Sequence, residues 1–253
     1  MKLKLSVIII AYNEERIIEK CLQKLYWADE IIVIDSGSTD ATVAICEKYN
    51  AKVIFNKFVD YGTQKQFAVQ QTSNDWVLSL DADEVLSDEL VDEIKGQFDS
   101  NATEVVGYYL KCRHVFLGKA FMYGNESNRS ILRLFNKNFG QFNDNSVHES
   151  IFVNGKTHKF KNSYLHYTTD SLHGYINKLN KYTQLYAENK FLKKKKYSLF
   201  EIVIKTKFEF IKKYCFELNF LNGKEGFYWS YFSAFYTGVK CIKTNEQHLI
   251  NKK

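Results

Sequence analysis

The chain has 253 residues, a length that accommodates one full-size α/β domain and a smaller additional unit. Hydrophobic residues make up 45% and charged residues 25% of the chain, which is typical of folded globular proteins and excludes global disorder. The 5 cysteines are odd in number and form no C-x-x-C pair. The sequence therefore predicts neither a disulfide framework nor a zinc knuckle, and it favours a reducing compartment.

Apolar and amphipathic stretches alternate along the first hundred residues. The spacing predicts strands over 5–10, 31–34, 52–55 and 76–80, and helices over 14–27, 41–49, 61–72 and 87–98. This alternation indicates the α/β fold class, with a doubly wound, mostly parallel, Rossmann-like sheet. Ligands of such sheets bind beyond the carboxyl ends of the strands. Residues 11–14, Asp35 and Asp81 follow strand ends, so we expect them to meet at one crevice.

The second half of the chain changes character. Strands are predicted over 105–112, 130–135, 151–153 and 164–167, and Asn154-Gly155 is a strong signal for a hairpin turn. Apolar residues at helical spacing predict a helix over 171–192. We therefore predict a catalytic domain over 1–192 and a C-terminal helical extension over 193–253.

The C-terminal extension is basic and aromatic. Residues 190–253 carry 14 lysines and 5 glutamates, whereas the preceding residues carry 21 basic and 24 acidic residues. The uncharged stretch 227–239 is rich in Phe and Tyr but too short to span a bilayer as a helix. Association with a membrane surface is the favoured interpretation. A helical pair packed on the body is compatible with it, and a nucleic-acid patch is disfavoured because no nucleic-acid module is recognisable.

The sharpest local motif is Asp81-Ala82-Asp83-Glu84, directly after a predicted buried strand. Transfer of a sugar from a nucleotide diphosphate leaves a highly charged diphosphate, which a divalent cation stabilises as a Lewis acid. Mg²⁺ or Mn²⁺ prefers hard oxygen ligands and takes one or two carboxylates, with phosphates supplying others. An isolated D-x-D is common by chance and often only a solvated loop, so the position at a strand end carries the prediction.

Asp35 closes the second predicted strand and begins the turn 35–40. An acidic residue at this position is where nucleotide-binding folds contact a ribose or a base. Asp40, at the end of the same turn, is predicted to cap the following helix. The chain has neither G-x-G-x-x-G after the first strand nor a P-loop motif, which disfavours a Rossmann dehydrogenase and a P-loop NTPase.

The segments 6–15, 28–40 and 76–84 together resemble inverting glycosyltransferases of family 2, which have the GT-A fold. Further segments are similar to the branch that builds lipopolysaccharide core, whose best-known members are β-1,4-glucosyltransferases: 62–68, 131–135, 147–149 and 165–168. The resemblance extends over roughly residues 5–190, and the ordered set of motifs is more specific than any one of them.

The resemblance implies a nucleotide-sugar pocket formed by Ala11, Tyr12, Asn13, Glu14, Asp35, Lys65, Asp81 and Arg133. In this pocket Lys65 would help neutralise the diphosphate, and Arg133 could hold a phosphate or an acidic acceptor. Asp83, with Asp81 beside it, would ligate Mg²⁺ or Mn²⁺. For Lys65 and Arg133, solvated surface side chains are equally acceptable interpretations.

The resemblance also implies a catalytic carboxylate after the D-x-D motif, because inversion needs a base beside the acceptor hydroxyl. Glu149 is the candidate, and His148 could orient it or complete the coordination of the metal. Many relatives have an Asp in a Glu-Asp pair here, and this sequence departs from that pattern. His166 is interpreted as structural.

These features predict an inverting, metal-dependent glycosyltransferase that moves a hexose from a nucleotide sugar, with a UDP-sugar as the expected donor. The expected acceptor is a hydroxyl of a lipid-linked saccharide such as lipopolysaccharide core. The expected location is cytoplasmic, on the inner face of the cytoplasmic membrane, with no nucleic-acid partner. A polyprenyl-phosphate glycosyltransferase and a non-catalytic nucleotide-sugar-binding protein are the alternatives.

Overall fold

The structure is a computed structural model that describes residues 4–99, 104–143, 150–169 and 171–250. The chain forms two compact units. Unit 1 consists of Met1–Arg113 and Arg129–Tyr167, and unit 2 consists of His114–Asn128 and Thr168–Lys253.

The described residues form these strands, in chain order: β1 (Leu5–Ala11), β2 (Glu30–Asp35), β3 (Lys52–Phe55), β4 (Trp76–Asp81), β5 (Glu84–Leu86), β6 (Val105–Phe116), β7 (Lys119–Ala120), β8 (Arg129–Asn136), β9 (Gly140–Phe142), β10 (Ile151–Val153) and β11 (Lys156–Thr169). The α-helices are α1 (Ile18–Gln23), α2 (Thr42–Lys48), α3 (Tyr61–Gln70), α4 (Asp88–Asp99), α5 (Leu172–Leu192), α6 (Leu199–Ile211) and α7 (Lys224–Ile250). Short 3₁₀ segments lie at Asn125–Ser127 and Asn219–Asn222, and a π-helical turn lies at Lys212–Phe216.

The parallel half of the main sheet has the order β3-β2-β1-β4. Its central strand β1 is an almost continuous apolar run, which fits a strand covered on both faces. Adjacent strand ends are in register, because Ala11 pairs with Asp35 and Ile10 pairs with Asp81. The prediction that these strand ends meet at one edge of the sheet is confirmed.

The sheet continues from β4 through β8, β6 and β11 to β5, and β4 pairs antiparallel with β8. The sequence patterns missed β5 and β9, which have only three residues each. The predicted hairpin at Asn154-Gly155 is wrong: β10 pairs with β9, whereas the next strand, β11, joins the main sheet beside β6 and β5. The chain does bend at Asn154-Gly155, but the residues of the bend do not determine which strand β10 or β11 pairs with.

Unit 2 contains three long helices, in which α7 packs against both α5 and α6. The predicted helix over 171–192 is confirmed as α5, and the uncharged stretch 227–239 lies inside the 27-residue α7. The compact units do not follow the predicted boundary at residue 192, because α5 belongs to the same unit as its packing partner α7. In the described part of the chain, none of the helices combines the length and apolar character that crossing a membrane requires.

Gly226 allows a close contact inside unit 2, between the start of α7 and the segment before it. A Cβ atom at this position would lie 1.8 Å from the backbone oxygen of Asn219. Because a backbone atom cannot move aside as a side chain can, we expect Gly226→Ala to lower the free energy of unfolding by about 3 kcal/mol. Urea unfolding followed by circular dichroism measures this effect.

Gly96 provides the matched control. It also lies in a helix, α4, and a Cβ atom there would meet nothing within 4 Å. Gly96→Ala should raise the free energy of unfolding by about 0.5–1 kcal/mol, because alanine restricts the unfolded chain more than glycine does. Equal stabilities of the two variants would contradict the close contact at Gly226.

Candidate nucleotide-sugar site

The loop after β1 is tied to the loop after β2. Asn13 has a positive φ of 55°, and its backbone N–H donates to Ser38 Oγ at 2.9 Å. Its side-chain oxygen accepts from the Thr39 N–H at 2.8 Å. The next N–H along the chain, that of Glu14, donates to Thr42 Oγ1 at 2.8 Å. Residues of the predicted nucleotide pocket therefore fix the shape of this edge of the sheet.

The carboxylate of Asp35 is buried and organises its own turn. One oxygen accepts from the backbone N–H groups of Gly37 and Ser38 at 2.8 and 2.9 Å, and the other accepts from the Ser38 hydroxyl. Asp40 accepts from the Thr42 N–H at 3.0 Å, but the N-cap residue of α2 is Ala41, so Asp40 lies one residue before the predicted capping position and holds the first residue of the helix instead. Contact of Asp35 with a ribose or base stays a prediction.

The remaining residues of the loop differ in exposure. Ala11, the last residue of β1, is buried, whereas the Tyr12 side chain is 58% exposed. Because the Tyr12 ring does not pack in the core, it is available to contact a ligand beside these strand ends. The structure thus brings the four loop residues and Asp35 to the same edge of the sheet.

Asp81 is held by two buried cations. Its Oδ1 lies 2.7 Å from Lys65 Nζ, and its Oδ2 lies 3.0 Å from Arg133 Nη2. Lys65 on α3 is 1% exposed and Arg133 on β8 is 8% exposed, so neither is a solvated surface side chain. Arg133 also forms an ion pair with Glu84, which is fully buried. The sequence included Glu84 in the motif but gave no sign of its pairing with Arg133.

Burial and charge act in opposite directions on Asp81. Burial raises the pKa of its carboxyl, but the charges of Lys65 and Arg133 outweigh it and hold the pKa well below the usual range. Asp81 is therefore ionised at neutral pH. Glu84 differs, because burial is the largest effect there and raises the pKa of its carboxyl. The positive charges of Lys65 and Arg133 balance the negative charges of the carboxylates at this edge of the sheet.

Asp83 is more accessible than its neighbours. Its side chain is 26% exposed, and its Oδ2 lies 3.2 Å from His166 Nε2. His166 lies on β11, opposite Glu84 in the antiparallel register with β5. Burial lowers the pKa of His166, but hydrogen bonds to Asp83 and Cys112 and nearby negative charges raise it to about 10. The sequence predicted a strand over 164–167 and a structural role for His166. The contact of His166 with Asp83 becomes apparent only from the pairing of β11 with β5.

The donor set of the D-x-D motif fits a hard divalent cation. Asp83 offers carboxylate oxygens that are partly open to solvent, whereas both oxygens of Asp81 already contact cations. Within the described ranges, the two aspartates belong to no group of three candidate metal ligands. An ion held here would need further oxygen ligands, and a nucleotide diphosphate and water can supply them.

The predicted catalytic pair, His148 and Glu149, lies outside the described residues. Ser150, the next residue, lines a cavity of about 240 Å³ in unit 1 together with Arg133. Other lining residues come from β6, β8 and β9 and include Tyr109 and Phe142. The assignment of Glu149 as the base stays a prediction.

The chain is similar to known glycosyltransferases. Residues 6–160 match the model of glycosyl transferase family 2. The chain is 34% identical to an uncharacterized glycosyltransferase of Rickettsia typhi, over 97% of this chain and 88% of the relative. It is 29% identical to the lipopolysaccharide core biosynthesis glycosyltransferase LpsC of Rhizobium meliloti, over 100% of this chain and 96% of the relative.

Similar solved structures include TarS of Staphylococcus aureus in complex with UDP-GlcNAc, with 26% identity over 45% of this chain and 35% of that chain and a TM-score of 0.38. Another is glucosyl-3-phosphoglycerate synthase from Mycobacterium tuberculosis in complex with Mn²⁺, UDP and phosphoglyceric acid, with 24% identity over 44% of this chain and 43% of that chain and a TM-score of 0.38. The present chain thus spans less than half the length of these solved chains. The family match, together with the parallel sheet, confirms the predicted GT-A fold class: the chain belongs to glycosyltransferase family 2.

Proposed function

We propose that the chain is a metal-dependent, inverting glycosyltransferase that moves a hexose from a UDP-sugar to a hydroxyl of a lipid-linked saccharide. One observation carries the proposal: in a member of family 2, the D-x-D motif begins at the carboxyl edge of the parallel strands, where Asp81 pairs with Ile10 and the next residue of β1, Ala11, pairs with Asp35. The full-length similarity to LpsC supports lipopolysaccharide core as the acceptor class.

The residues at this edge divide the binding of the donor. Asp35 and the loop of residues 11–14 receive the nucleoside, and Asp83 would hold a divalent metal. Lys65 and Arg133 keep Asp81 ionised and oriented, because both contact its carboxylate directly. A bound Mg²⁺ or Mn²⁺ would supply Lewis-acid stabilisation of the leaving diphosphate.

The acceptor hydroxyl loses its proton as it attacks, and inversion requires a base on the side opposite the leaving group. Glu149 is the proposed base, oriented by His148. The next residue in the chain, Ser150, lines the 240 Å³ cavity together with Arg133. This supports an acceptor position at that cavity.

Isothermal titration calorimetry of UDP, with Mn²⁺ and then with EDTA, tests the donor half of the proposal. We expect binding with Mn²⁺ and much weaker binding with EDTA, because a cation held by Asp83 would offset the negative charge of the diphosphate. UDP binding that is insensitive to the metal would remove metal dependence from the proposal. Absence of binding in both conditions, with GDP and TDP also silent, would overturn the nucleotide-sugar site.

A second part of the proposal is that α6 places the enzyme on the inner face of the cytoplasmic membrane. None of its residues is buried, although large apolar side chains recur along it and Phe200 is 74% exposed. The run of lysines at 193–196 precedes it, and Lys205 and Lys207 lie within it. Exposed apolar side chains beside lysines match a surface of anionic lipid.

Cosedimentation with vesicles tests the membrane part. We expect binding to vesicles that contain phosphatidylglycerol, weaker binding to phosphatidylcholine alone, and further weakening by salt, which screens the lysines. Phe200→Ser should lower the partition coefficient roughly ten- to hundredfold, because an exposed phenylalanine loses roughly 1.5–3 kcal/mol of burial in the lipid. Phe152→Ser is the matched control, since Phe152 is 69% exposed on β10 in unit 1. Equal loss in both variants would contradict this role for α6.

A further inference from the structure

A groove of about 420 Å³ lies between α6 and α7 in unit 2, and the proposed donor site does not use it. Its volume is within the range of about 300–1,000 Å³ that is typical of small-molecule sites. We call it the interhelical groove. The α6 side includes Thr206, Lys207 and Phe210, and the α7 side includes Tyr231, Ala234 and Phe235.

The interhelical groove is deep where α7 carries small residues. Ala234 is the buried member of the lining, and its side chain ends at Cβ, which leaves space above it. One turn later α7 comes close to α6, since a Cβ atom at Gly238 would lie 3.0 Å from Thr206 Oγ1. The Thr206 hydroxyl donates to the Ile202 carbonyl oxygen at 2.8 Å, so it needs no partner from a ligand. This part of the groove therefore suits a hydrocarbon chain, because it offers a polar ligand no replacement for its hydrogen bonds to water.

Aromatic rings line the groove, and their neighbours hold two of them in place. Phe210 packs nearly parallel to Tyr214 with ring centroids 5.4 Å apart, and it meets Phe227 edge-on at 5.8 Å. Tyr231 packs nearly parallel to the same Phe227 ring at 6.4 Å. Phe235 is 46% exposed, so much of its ring is available to a ligand. Walls that are fixed before binding lower the entropy cost of holding a flexible chain.

The charge of the groove comes from Lys207, which is the charged residue of the lining and is exposed. Within the described part of the chain, Lys207 forms no ion pair, whereas Lys213 is paired with Glu126 and Lys212 lies 3.8 Å from Glu217. An apolar groove beside an unpaired cation complements a ligand that has both a hydrocarbon chain and an acidic head group.

We propose that the interhelical groove binds one acyl chain of an anionic membrane lipid, with the chain against Ala234 and Phe235 and the acidic head group at Lys207. The proposal rests on the membrane part of the proposed function and adds to it a defined site for a single lipid. Because the groove shares α6 with the proposed membrane surface, lipid lies next to it whenever that surface is engaged.

Calorimetry on the full chain with soluble single-chain amphiphiles, kept below their micelle concentrations, tests the proposal. We expect dodecyl phosphate to bind at one saturable site per chain. Octyl phosphate should bind more weakly, since each CH₂ group contributes about fourfold to the affinity, and inorganic phosphate should not bind. Dodecyl maltoside, which has the same chain and an uncharged head group, should bind about threefold more weakly than dodecyl phosphate, the value of an exposed ion pair.

Four variants with matched controls locate the site. Phe235→Ser should weaken dodecyl phosphate binding about tenfold, because it removes part of the apolar wall. Ile242→Ser replaces another exposed residue of α7, outside the groove lining, and should leave binding unchanged. Lys207→Gln should weaken dodecyl phosphate but not dodecyl maltoside. Lys205→Gln, an exposed lysine of the same helix outside the lining, should change neither.

Three results would overturn the proposal: no saturable binding of dodecyl phosphate, equal affinities for octyl and dodecyl phosphate, or equal losses in Phe235→Ser and Ile242→Ser. Dodecyl maltoside binding as tightly as dodecyl phosphate would also overturn it, because the acidic head group would then have no role. Cosedimentation of the same samples with phosphatidylglycerol vesicles separates the two proposals. Vesicle binding without dodecyl phosphate binding removes the groove alone, whereas loss of vesicle binding strikes the membrane part of the proposed function.

Discussion

Asp83→Asn should weaken UDP binding in the presence of Mn²⁺ about 100-fold, which corresponds to about 2.7 kcal/mol. The amide keeps the size of the side chain and an oxygen that can face His166, so the fold should persist. It removes the negative charge that draws the cation to this edge of the sheet. Calorimetry in Mn²⁺ and in EDTA measures the change, and the variant in Mn²⁺ should bind UDP as wild type does in EDTA.

Asp75→Asn is the matched control for Asp83→Asn. Asp75 directly precedes β4, at the opposite end of the strand from the D-x-D motif, and it is exposed. This control should bind UDP like wild type in both conditions. If Asp83→Asn retained the full response to Mn²⁺, Asp83 would not be the metal ligand. If Asp75→Asn lost binding as well, the effect would come from overall charge and not from the motif.

The position of the donor site could be predicted from the sequence because the rule behind it is topological. Asp35 and Asp81 are 46 positions apart, but each ends an apolar strand in a βα repeat, and parallel strands end at the same edge. The helix that carries Lys65 was also predicted, from the local spacing of its residues. Local patterns, combined with the topological rule, thus specified where the site lies.

The contacts within the site depend on antiparallel pairings that no local pattern specifies. Arg133 reaches Asp81 and Glu84 because β8 pairs with β4, and His166 reaches Asp83 because β11 pairs with β5. A three-residue strand such as β5 has no periodicity to detect. For this reason the sequence left a surface role open for Arg133 and assigned no role to Glu84.

Arg133→Met should lower the free energy of unfolding of unit 1 by about 3–5 kcal/mol at pH 8, because it leaves Glu84 buried without its partner. The deficit should shrink at lower pH. Burial raises the folded-state pKa of Glu84 above its unfolded value, and the Arg133 charge opposes this, so the pKa is higher still in Arg133→Met and the folded variant holds the proton more tightly than wild type does. Stability from that proton is present below the unfolded pKa and is lost as the pH rises through the folded pKa. Urea unfolding at pH 8 and at pH 5.5 measures both effects.

Two further variants show whether the buried pair itself is responsible. Arg129→Met replaces an exposed arginine at the start of the same strand, β8, and should change the free energy of unfolding by less than about 0.5 kcal/mol.

The double variant Arg133→Met/Glu84→Gln removes the uncompensated charge, so it should be more stable at pH 8 than Arg133→Met alone. It should also lose the pH dependence, because the glutamine does not titrate. Glu84→Gln alone completes the comparison. A double variant whose loss equals the sum of the losses of Arg133→Met and Glu84→Gln would mean that Arg133 and Glu84 do not interact, and that another contact of Arg133 stabilises this edge of the sheet.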